Sequence, residues 1–364
     1  MKPEIPARIL GLEPYQPGKP IEEVERELGI EGSIKLASNE NPLGPSPAAL
    51  VALAGASADL HRYPDGGAVR LTRKLADRLE VAPEQVILGN GSNEIIELLV
   101  RVFAGPGDEV VMSADAFLIY DLVTRAAGAS SVRVEPKGYS HDLDAIGTAI
   151  GPSTRVVFLA NPNNPTGTTF GLAEWEDFLG GVPAGVVVAV DEAYAEYVDD
   201  PDYPDSLSYL DSHPGLLVMR TFSKIYGLAG LRIGYGVTSI EIASALQRLR
   251  QPFNVGSLAQ EAALAALDDH AHLEASRQLA AEGRRYYAQN FERLGLEYVP
   301  SQANFVLVEV GDGDRVSSEL LGLGVIVRPM QAYGMASKIR ITFGTQSENR
   351  RCIEALADVT GRGG

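Results

Sequence analysis

The sequence predicts an α/β protein, with a large domain built on a mostly parallel sheet covered by helices and a smaller α+β domain. From about residue 84 to 240, short apolar runs alternate with stretches of helical periodicity. These runs are apolar on both faces, which is typical of parallel strands buried between two layers of helices. After Pro252 the pattern changes to a long helical stretch, followed by short strands and helices. A chain of 364 residues is long enough for both domains.

The apolar runs and the turn residues between them place the individual elements. We expect strands at residues 85–88, 109–112, 155–159, 186–190 and 216–219, with helices at 92–104 and 117–127. Beyond Pro252 we expect a helical stretch at 257–294, strands at 304–308, 325–327 and 338–342, a helix between the first two of these strands, and a final helix at 347–359. The predicted domains are an N-terminal arm at 1–35, which packs on the small domain or crosses the cleft, a large domain at 36–270 and a small domain at 271–364.

Composition excludes several classes of partner. The net charge is −17 and no lysine- or arginine-rich tract stands out, so neither nucleic acid nor an anionic membrane surface is an expected partner. The start of the chain has no apolar segment typical of a secretory signal, and no apolar run approaches the roughly 18 residues of a membrane helix. The single cysteine, Cys352, rules out an internal disulfide and suits a reducing compartment, so we expect a cytoplasmic protein. The histidines are scattered without ligand spacing, so we expect no metal site.

The segment from Thr221 to Arg232 carries the most specific chemical signal. Ser223 and Lys224 stand side by side, and an arginine follows eight positions after the lysine. A lysine that attacks a carbonyl must lose its proton, and hydroxyls with a nearby arginine suit a phosphate. Together they indicate a pyridoxal phosphate pocket, in which the lysine bonds the cofactor. A solvent-exposed lysine at the end of a strand is the alternative, and this segment alone leaves both open.

Polar residues also follow other predicted strands, at the edge where ligands bind in α/β sheets. The turn at 89–94 opens a helix, and its free N–H groups suit an anion, although an ordinary helix cap has the same pattern. The turn at 161–167 is stiffened by two prolines and can present an amide. Asp191 ends a valine-rich strand, where a buried carboxylate needs a positive partner such as a protonated pyridine nitrogen; a helix cap or a surface position is the alternative. Arg328 and Arg340 follow apolar strand residues and can bind oxyanions, although such arginines more often form salt bridges.

In this order, the segments resemble the fold-type I, class II aminotransferases, which depend on pyridoxal phosphate, and among them the histidinol-phosphate aminotransferases. The matching segments extend from about residue 15 to 345 and include 37–44 (ASNENPLG), 62–66 (RYPDG), 89–94, 161–167, 191–194, 221–232, 252–255 (PFNV), 303–305, 327–329 and 340–342.

The resemblance implies a role for each matching residue. Lys224 resembles the Schiff-base lysine that also moves the substrate proton, and Asp191 resembles the partner of the pyridine nitrogen. Asn164 and Tyr194 resemble the pair that hydrogen-bonds the phenolic oxygen of the ring. The phosphate-binding positions are matched by Gly91, Ser92, Asn93, Thr221, Ser223 and Arg232. Phe117 matches the aromatic residue stacked on the ring, and Tyr63 matches a tyrosine that reaches the cofactor phosphate of the other subunit in a homodimer. The substrate side is expected to include Tyr15, Asn41, Arg328 and Arg340.

Two positions depart from the family pattern. Ala116 stands where a proline often precedes the stacking aromatic residue, which leaves the shape of that loop open. Asn93 replaces a common aspartate in the phosphate turn, where its backbone N–H would still serve.

The resemblance implies transamination between histidinol phosphate and imidazole-acetol phosphate, with glutamate and 2-oxoglutarate as the second pair, in histidine biosynthesis. Aromatic amino acid aminotransferases share nearly all of these motifs, and decarboxylases of phosphorylated amino acids are also related, so both stay open. The cofactor-sensing domain of a transcription regulator would need a basic DNA-binding module, and this sequence contains none.

Overall fold

Most of the secondary structure belongs to two sheets and the helices that cover them. The structure, a computed structural model, describes residues 3–16 and 18–362. Its strands are β1 (Ile34–Lys35), β2 (Val86–Gly89), β3 (Glu109–Ser113), β4 (Ser130–Val134), β5 (Thr154–Ala160), β6 (Val187–Asp191), β7 (Leu216–Thr221), β8 (Gly234–Thr238), β9 (Tyr298–Val299), β10 (Phe305–Glu309), β11 (Val325–Ile326), β12 (Arg328–Pro329) and β13 (Lys338–Thr342). Its α-helices are α1 (Ala7–Leu10), α2 (Ile21–Leu28), α3 (Pro47–Ala56), α4 (Val69–Leu79), α5 (Ser92–Phe103), α6 (Ile119–Ala127), α7 (Leu143–Ala149), α8 (Leu172–Gly181), α9 (Ile240–Leu249), α10 (Ser257–Ala266), α11 (His270–Leu294), α12 (Gly313–Gly322) and α13 (Gln346–Thr360).

The large sheet has seven strands in the order β2-β8-β7-β6-β5-β3-β4. All neighbours pair in parallel except β8, which runs antiparallel to both β2 and β7. Its central strands β5 and β6 are buried along nearly their whole length, and separate apolar clusters cover the two faces of the sheet. The expected α/β class with a mostly parallel sheet is therefore confirmed.

The small sheet is antiparallel, in the order β12-β13-β10-β9. Helix α11 packs on β10 and on α13, and α12 packs on α13. A short parallel pair, β1 with β11, joins the N-terminal segment to this region. The domain bounds at residues 35 and 270 stay a prediction.

The N-terminal arm contacts both parts of the molecule. Helix α1 lies on α6, where Arg125 Nη2 donates to the carbonyl of Gly11 at 2.7 Å. Helix α2 buries Val24 against Ala37 and Ile326, close to the small sheet. The arm therefore extends from the helices over the large sheet to the β1–β11 pair.

The strands and helices expected from the sequence are present, with two kinds of difference. The predicted helical stretch at 257–294 is two helices, because Asp269 caps α11 by accepting from the backbone N–H of His272 at 3.1 Å. Strands β4 and β8 were not predicted, and neither were the two-residue strands β1, β9 and β12 nor the helices α1–α4 and α7–α9. Strand β4 contains two serines and an arginine, and β8 contains two glycines (Gly234 and Gly236), so neither gives a strong apolar run.

The described residues contain neither a membrane-spanning helix nor a cluster of metal ligands. No helix there has both the length and the apolar character needed to cross a membrane. In the same ranges, no cluster of three or more histidine, cysteine or acidic side chains is placed to hold a metal ion.

Candidate active site

A pocket lies at the carboxyl ends of the parallel strands β5, β6 and β7, between the large sheet and the small sheet. Its lining includes most of the residues expected from the sequence: Tyr15, Ser92, Asn93, Phe117, Asn164, Asp191, Tyr194, Thr221, Ser223, Lys224, Arg232, Arg328 and Arg340. Parallel strands all end at the same edge of a sheet, so the loops that follow them meet there. The arm and the small sheet close the opposite side through Tyr15, Arg328 and Arg340.

Lys224 follows β7 and points into this pocket. Its Nζ donates to the carbonyl of Ser38 at 3.2 Å and lies 5.5 Å from the centre of the Tyr194 ring. Burial lowers the pKa of Lys224 to about 8, and the positive charge of Arg340 adds to this effect. A lysine with such a pKa has a substantial neutral fraction near neutral pH, and the neutral amine is the form that attacks a carbonyl.

Asp191 is the last residue of β6 and is only 7% exposed. Its Oδ2 accepts from the hydroxyl of Tyr120 at 2.8 Å, and its Oδ1 accepts from the backbone N–H of Ala193 at 3.2 Å. Burial raises the pKa of this carboxyl, whereas the two hydrogen bonds oppose that change. No cation within salt-bridge distance pairs with it among residues 3–16 and 18–362. A protonated ring nitrogen bound in the pocket would supply the missing positive partner.

The turn between β2 and α5 forms an anion site with Arg232. Gly91 has a φ of 76°, and a Cβ built on it would overlap the guanidinium of Arg232. The backbone N–H groups that open α5 at Ser92 have no partner within the helix, and they lie at the positive end of its dipole. Arg232 Nη1 also donates to Ser223 Oγ at 3.2 Å, which brings the two sides of the site together. This donor set fits a phosphate.

Two sets of hydrogen-bonded side chains line the centre of the pocket. Tyr194 accepts a hydrogen bond from Asn39 Nδ2 at 2.9 Å, and burial raises the pKa of its hydroxyl to about 12. Arg340 donates through Nη1 to Asn164 Oδ1 and through Nη2 to the carbonyl of Ala37, the latter at 2.9 Å. The hydroxyl of Tyr194 thus stays protonated across the physiological range, and Arg340 is held rigidly from two sides.

Arg328 has a different environment. Its guanidinium lies 5.4 Å from the centre of the Tyr15 ring, and no acidic side chain lies within salt-bridge distance of it in the described part of the chain. A half-buried guanidinium of this kind retains its donors for an incoming oxyanion.

Three predicted residues do not line the pocket: Gly91, which lies behind Arg232 in the anion turn described above, Tyr63 and Asn41. Tyr63 is 82% exposed and stacks on Phe253, with ring centres 4.7 Å apart. Asn41 is buried, but its Nδ2 donates to the carbonyl of Ile225 and to Ser276 Oγ, so its amide holds neighbouring segments together. The structure therefore does not bring Asn41 to the substrate side.

Asn39 and Tyr120 line the pocket, and neither was singled out from the sequence. Asn39 lies in the same motif as Asn41, two positions earlier. Alternation along an extended strand would give both residues the same orientation, but Asn39 has a φ of 55°, which breaks the alternation. Tyr120 is an aromatic residue inside α6, and nothing in its local pattern distinguishes it from a core residue.

A lowered-pKa lysine, a buried carboxylate and an arginine-assisted anion site, placed at the edge of a parallel sheet, define a pyridoxal-phosphate-dependent transferase. The model of the family "Aminotransferase class I and II" matches residues 31–356. The chain belongs to this family, and the expected enzyme class and cofactor are confirmed.

Individual relatives carry a narrower name. The chain is 50% identical to "Histidinol-phosphate aminotransferase 1" of Nitrosococcus oceani, over 97% of this chain and 96% of that protein. It is 51% identical to "Histidinol-phosphate aminotransferase 2" of Pseudomonas aeruginosa, over 96% and 95% of the two chains. The crystal structure of histidinol-phosphate aminotransferase from Sinorhizobium meliloti in complex with pyridoxal-5′-phosphate superposes with a TM-score of 0.91 and 28% identity, covering 99% of this chain and 98% of that one.

Proposed function

We propose that this chain transfers an amino group from histidinol phosphate to 2-oxoglutarate, and catalyses the reverse reaction, as a step in histidine biosynthesis. Identity of about 50% to histidinol-phosphate aminotransferases over nearly the whole chain is the observation that carries this proposal. The pocket supports it, because Arg328 offers donors to a phosphate monoester in one half of the reaction and to a dicarboxylate in the other.

Pyridoxal phosphate, when bound, supplies an electron sink for the bond that is broken at the substrate carbon. Its phosphate would lie against Ser92, Asn93, Thr221, Ser223 and Arg232, with Gly91 leaving room for the arginine. Asp191 would keep the ring nitrogen protonated, because the buried carboxylate has no other cation nearby. Phe117 would lie against the face of the ring.

Lys224 is proposed as the residue that bonds the cofactor and then moves the proton. Lys224 Nζ would then take the proton from the substrate carbon that bears the nitrogen and hold it for return. Its lowered pKa of about 8 suits both roles, since the amine can accept and release a proton near neutral pH. Tyr194 and Asn164 would donate to the phenolic oxygen, and Arg340 orients Asn164 through its hydrogen bond.

The substrate assignment is tested by measuring kcat/KM for histidinol phosphate and for phenylalanine under identical conditions, with 2-oxoglutarate as the acceptor. We expect histidinol phosphate to be the better substrate. A higher value for phenylalanine would replace this proposal with an aromatic amino acid aminotransferase while leaving the cofactor residues in place. Release of carbon dioxide from a phosphorylated amino acid would instead indicate a decarboxylase.

We further propose that the active unit is a homodimer in the cytoplasm. Tyr63 and Phe253 form an exposed stacked pair, and Leu50 and Val51 on α3 are 51% and 74% exposed. Exposed apolar side chains of this kind support a protein–protein contact. In the dimer, Tyr63 would reach the cofactor phosphate of the other subunit, which explains its absence from the pocket of its own chain. The single cysteine, Cys352, is buried, which suits a reducing compartment.

A further inference from the structure

Asn39 is buried to 1% exposure, and each of its polar groups has a partner. Its backbone N–H donates to Thr342 Oγ1 at 2.9 Å, and its carbonyl accepts from Asn304 Nδ2 at 3.1 Å. Its side-chain Oδ1 accepts from Thr342 Oγ1 at 3.1 Å, and its Nδ2 donates to the hydroxyl of Tyr194 at 2.9 Å. Asn39 thus connects the small sheet to Tyr194 in the pocket.

The hydrogen-bond partners of Asn39 favour one orientation of its amide. Thr342 Oγ1 accepts the backbone N–H of Asn39, so its single proton is available for Oδ1 of the same residue. The NH₂ group is then on the side of Tyr194, since the flipped amide would place it against Thr342 Oγ1 and deprive the Thr342 proton of Oδ1 as its acceptor. A hydroxyl that accepts from an NH₂ group cannot return its own proton to that group, so the proton of Tyr194 is left for a different acceptor.

We propose that Asn39 is a positioning residue, which directs the hydroxyl proton of Tyr194 toward the phenolic oxygen of the bound cofactor. The inference rests on the role proposed above for Tyr194. The backbone of Asn39 supports it, because the left-handed φ of 55° is uncommon for a residue other than glycine and is what turns the amide toward Tyr194.

The test uses the visible absorption of the cofactor-loaded enzyme, which depends on the proton shared between the lysine nitrogen and the phenolic oxygen. A donor to the phenolic oxygen favours its negative charge, so loss of the donor makes the proton harder to remove and raises the midpoint of the titration. Lys224, Arg340 and Asp191 are the charged groups that also face Tyr194, and all three are left unchanged in every variant.

Four proteins are titrated: the parent, Asn39→Gly, Tyr194→Phe and the double variant. Glycine adopts the left-handed backbone without strain and keeps both backbone hydrogen bonds of residue 39. We expect Tyr194→Phe to raise the midpoint by about one pH unit or more, as for a hydrogen bond to a charged group. Asn39→Gly should raise it by a smaller amount, and the double variant should match Tyr194→Phe alone.

Each other outcome overturns the inference. An equal shift for Asn39→Gly in both backgrounds would mean that Asn39 acts independently of Tyr194. If Tyr194→Phe shifts the midpoint and Asn39→Gly does not, the hydroxyl of Tyr194 does not need Asn39 to orient it. If neither variant shifts the midpoint, Tyr194 does not donate to the phenolic oxygen either.

Thermal unfolding of the cofactor-free variants checks their fold. If Asn39→Gly fails to fold, Thr342→Val replaces it, because it removes the hydroxyl that orients the amide, and the same non-additivity is expected. The substrate proposal is tested separately, because it is decided by the turnover of histidinol phosphate, whereas the role of Asn39 is decided by these spectra.

Discussion

Replacing Arg328 with alanine should weaken the phosphorylated substrate selectively. The guanidinium is half-buried over the Tyr15 ring and has no acidic partner among the described residues, so the loss of its donors to the substrate is not offset by any other change. Arg340 cannot move to the position that Arg328 vacates, because its hydrogen bonds to Asn164 and to the carbonyl of Ala37 hold its guanidinium in place.

The magnitude follows from the kind of contact that is lost. A hydrogen bond to a charged group contributes roughly 1.5–3 kcal/mol, and 1.4 kcal/mol corresponds to about tenfold in rate or affinity. We therefore expect kcat/KM for histidinol phosphate to fall by about 10- to 100-fold. Phenylalanine has no phosphate, so its value should change by less than about threefold, which is the change expected without a lost charged contact.

The assay must avoid the acceptor, because 2-oxoglutarate is also an anion and can use Arg328. Single-turnover measurements of the first half-reaction do this, since they follow conversion of the bound cofactor by each amino donor in the absence of a keto acid. Arg328→Lys is the matched control: it keeps the charge but loses the planar fork, so its loss should lie between those of the parent and Arg328→Ala. Equal losses for histidinol phosphate and phenylalanine would refute the assignment of Arg328 to the phosphate.

Further predictions concern the cofactor and the dimer. Lys224→Ala should lose transamination almost completely, and borohydride should attach the cofactor to Lys224 in the parent; labelling of another lysine contradicts this. Asp191→Asn should keep some cofactor but lose roughly 100- to 1000-fold in kcat, as when one preorganised electrostatic group is removed, and a wild-type rate would exclude its role. Mixed dimers of Lys224→Ala and Tyr63→Ala should regain activity, because one of their two sites is intact; no recovery after proven subunit exchange would mean that one chain builds each site. Binding of the cofactor to cofactor-free protein should accelerate as pH rises through about 8, where Lys224 loses its proton, and Arg340→Gln should move that midpoint upward; a rate independent of pH would contradict the low lysine pKa.

Much of the fold follows from local patterns in the sequence. Strands β5, β6 and β7 are formed by valine- and leucine-rich runs whose ends are marked by turn residues. Runs this apolar are typical of strands that are buried on both faces of a sheet. Because parallel strands end at one edge, Asn164, Asp191 and Lys224 had to come close together once those strands paired. The sequence alone therefore determined the class of fold and the residue types that line the pocket at the strand ends.

Local patterns did not contain the order in which strands pair. Strand β8, which contains two glycines, is positioned by its hydrogen bonds to β2 on one side and β7 on the other. Its own sequence is not apolar enough to predict a strand. The break between α10 and α11 depends on a single capping aspartate, Asp269, inside a stretch whose helical periodicity barely changes. These features arise from contacts, so periodicity cannot reveal them.

Only the tertiary structure decided how the pocket is completed. Asn39 and Asn41 have the same chemistry in one short motif, yet Asn39 meets Tyr194 and Thr342 while Asn41 meets Ile225 and Ser276. The partners of Asn39 lie 155 and 303 positions away along the chain, and a single left-handed backbone angle selects between the two asparagines. The identity of a polar side chain is encoded locally, but its partners depend on how distant segments pack, and the packed structure assigns them.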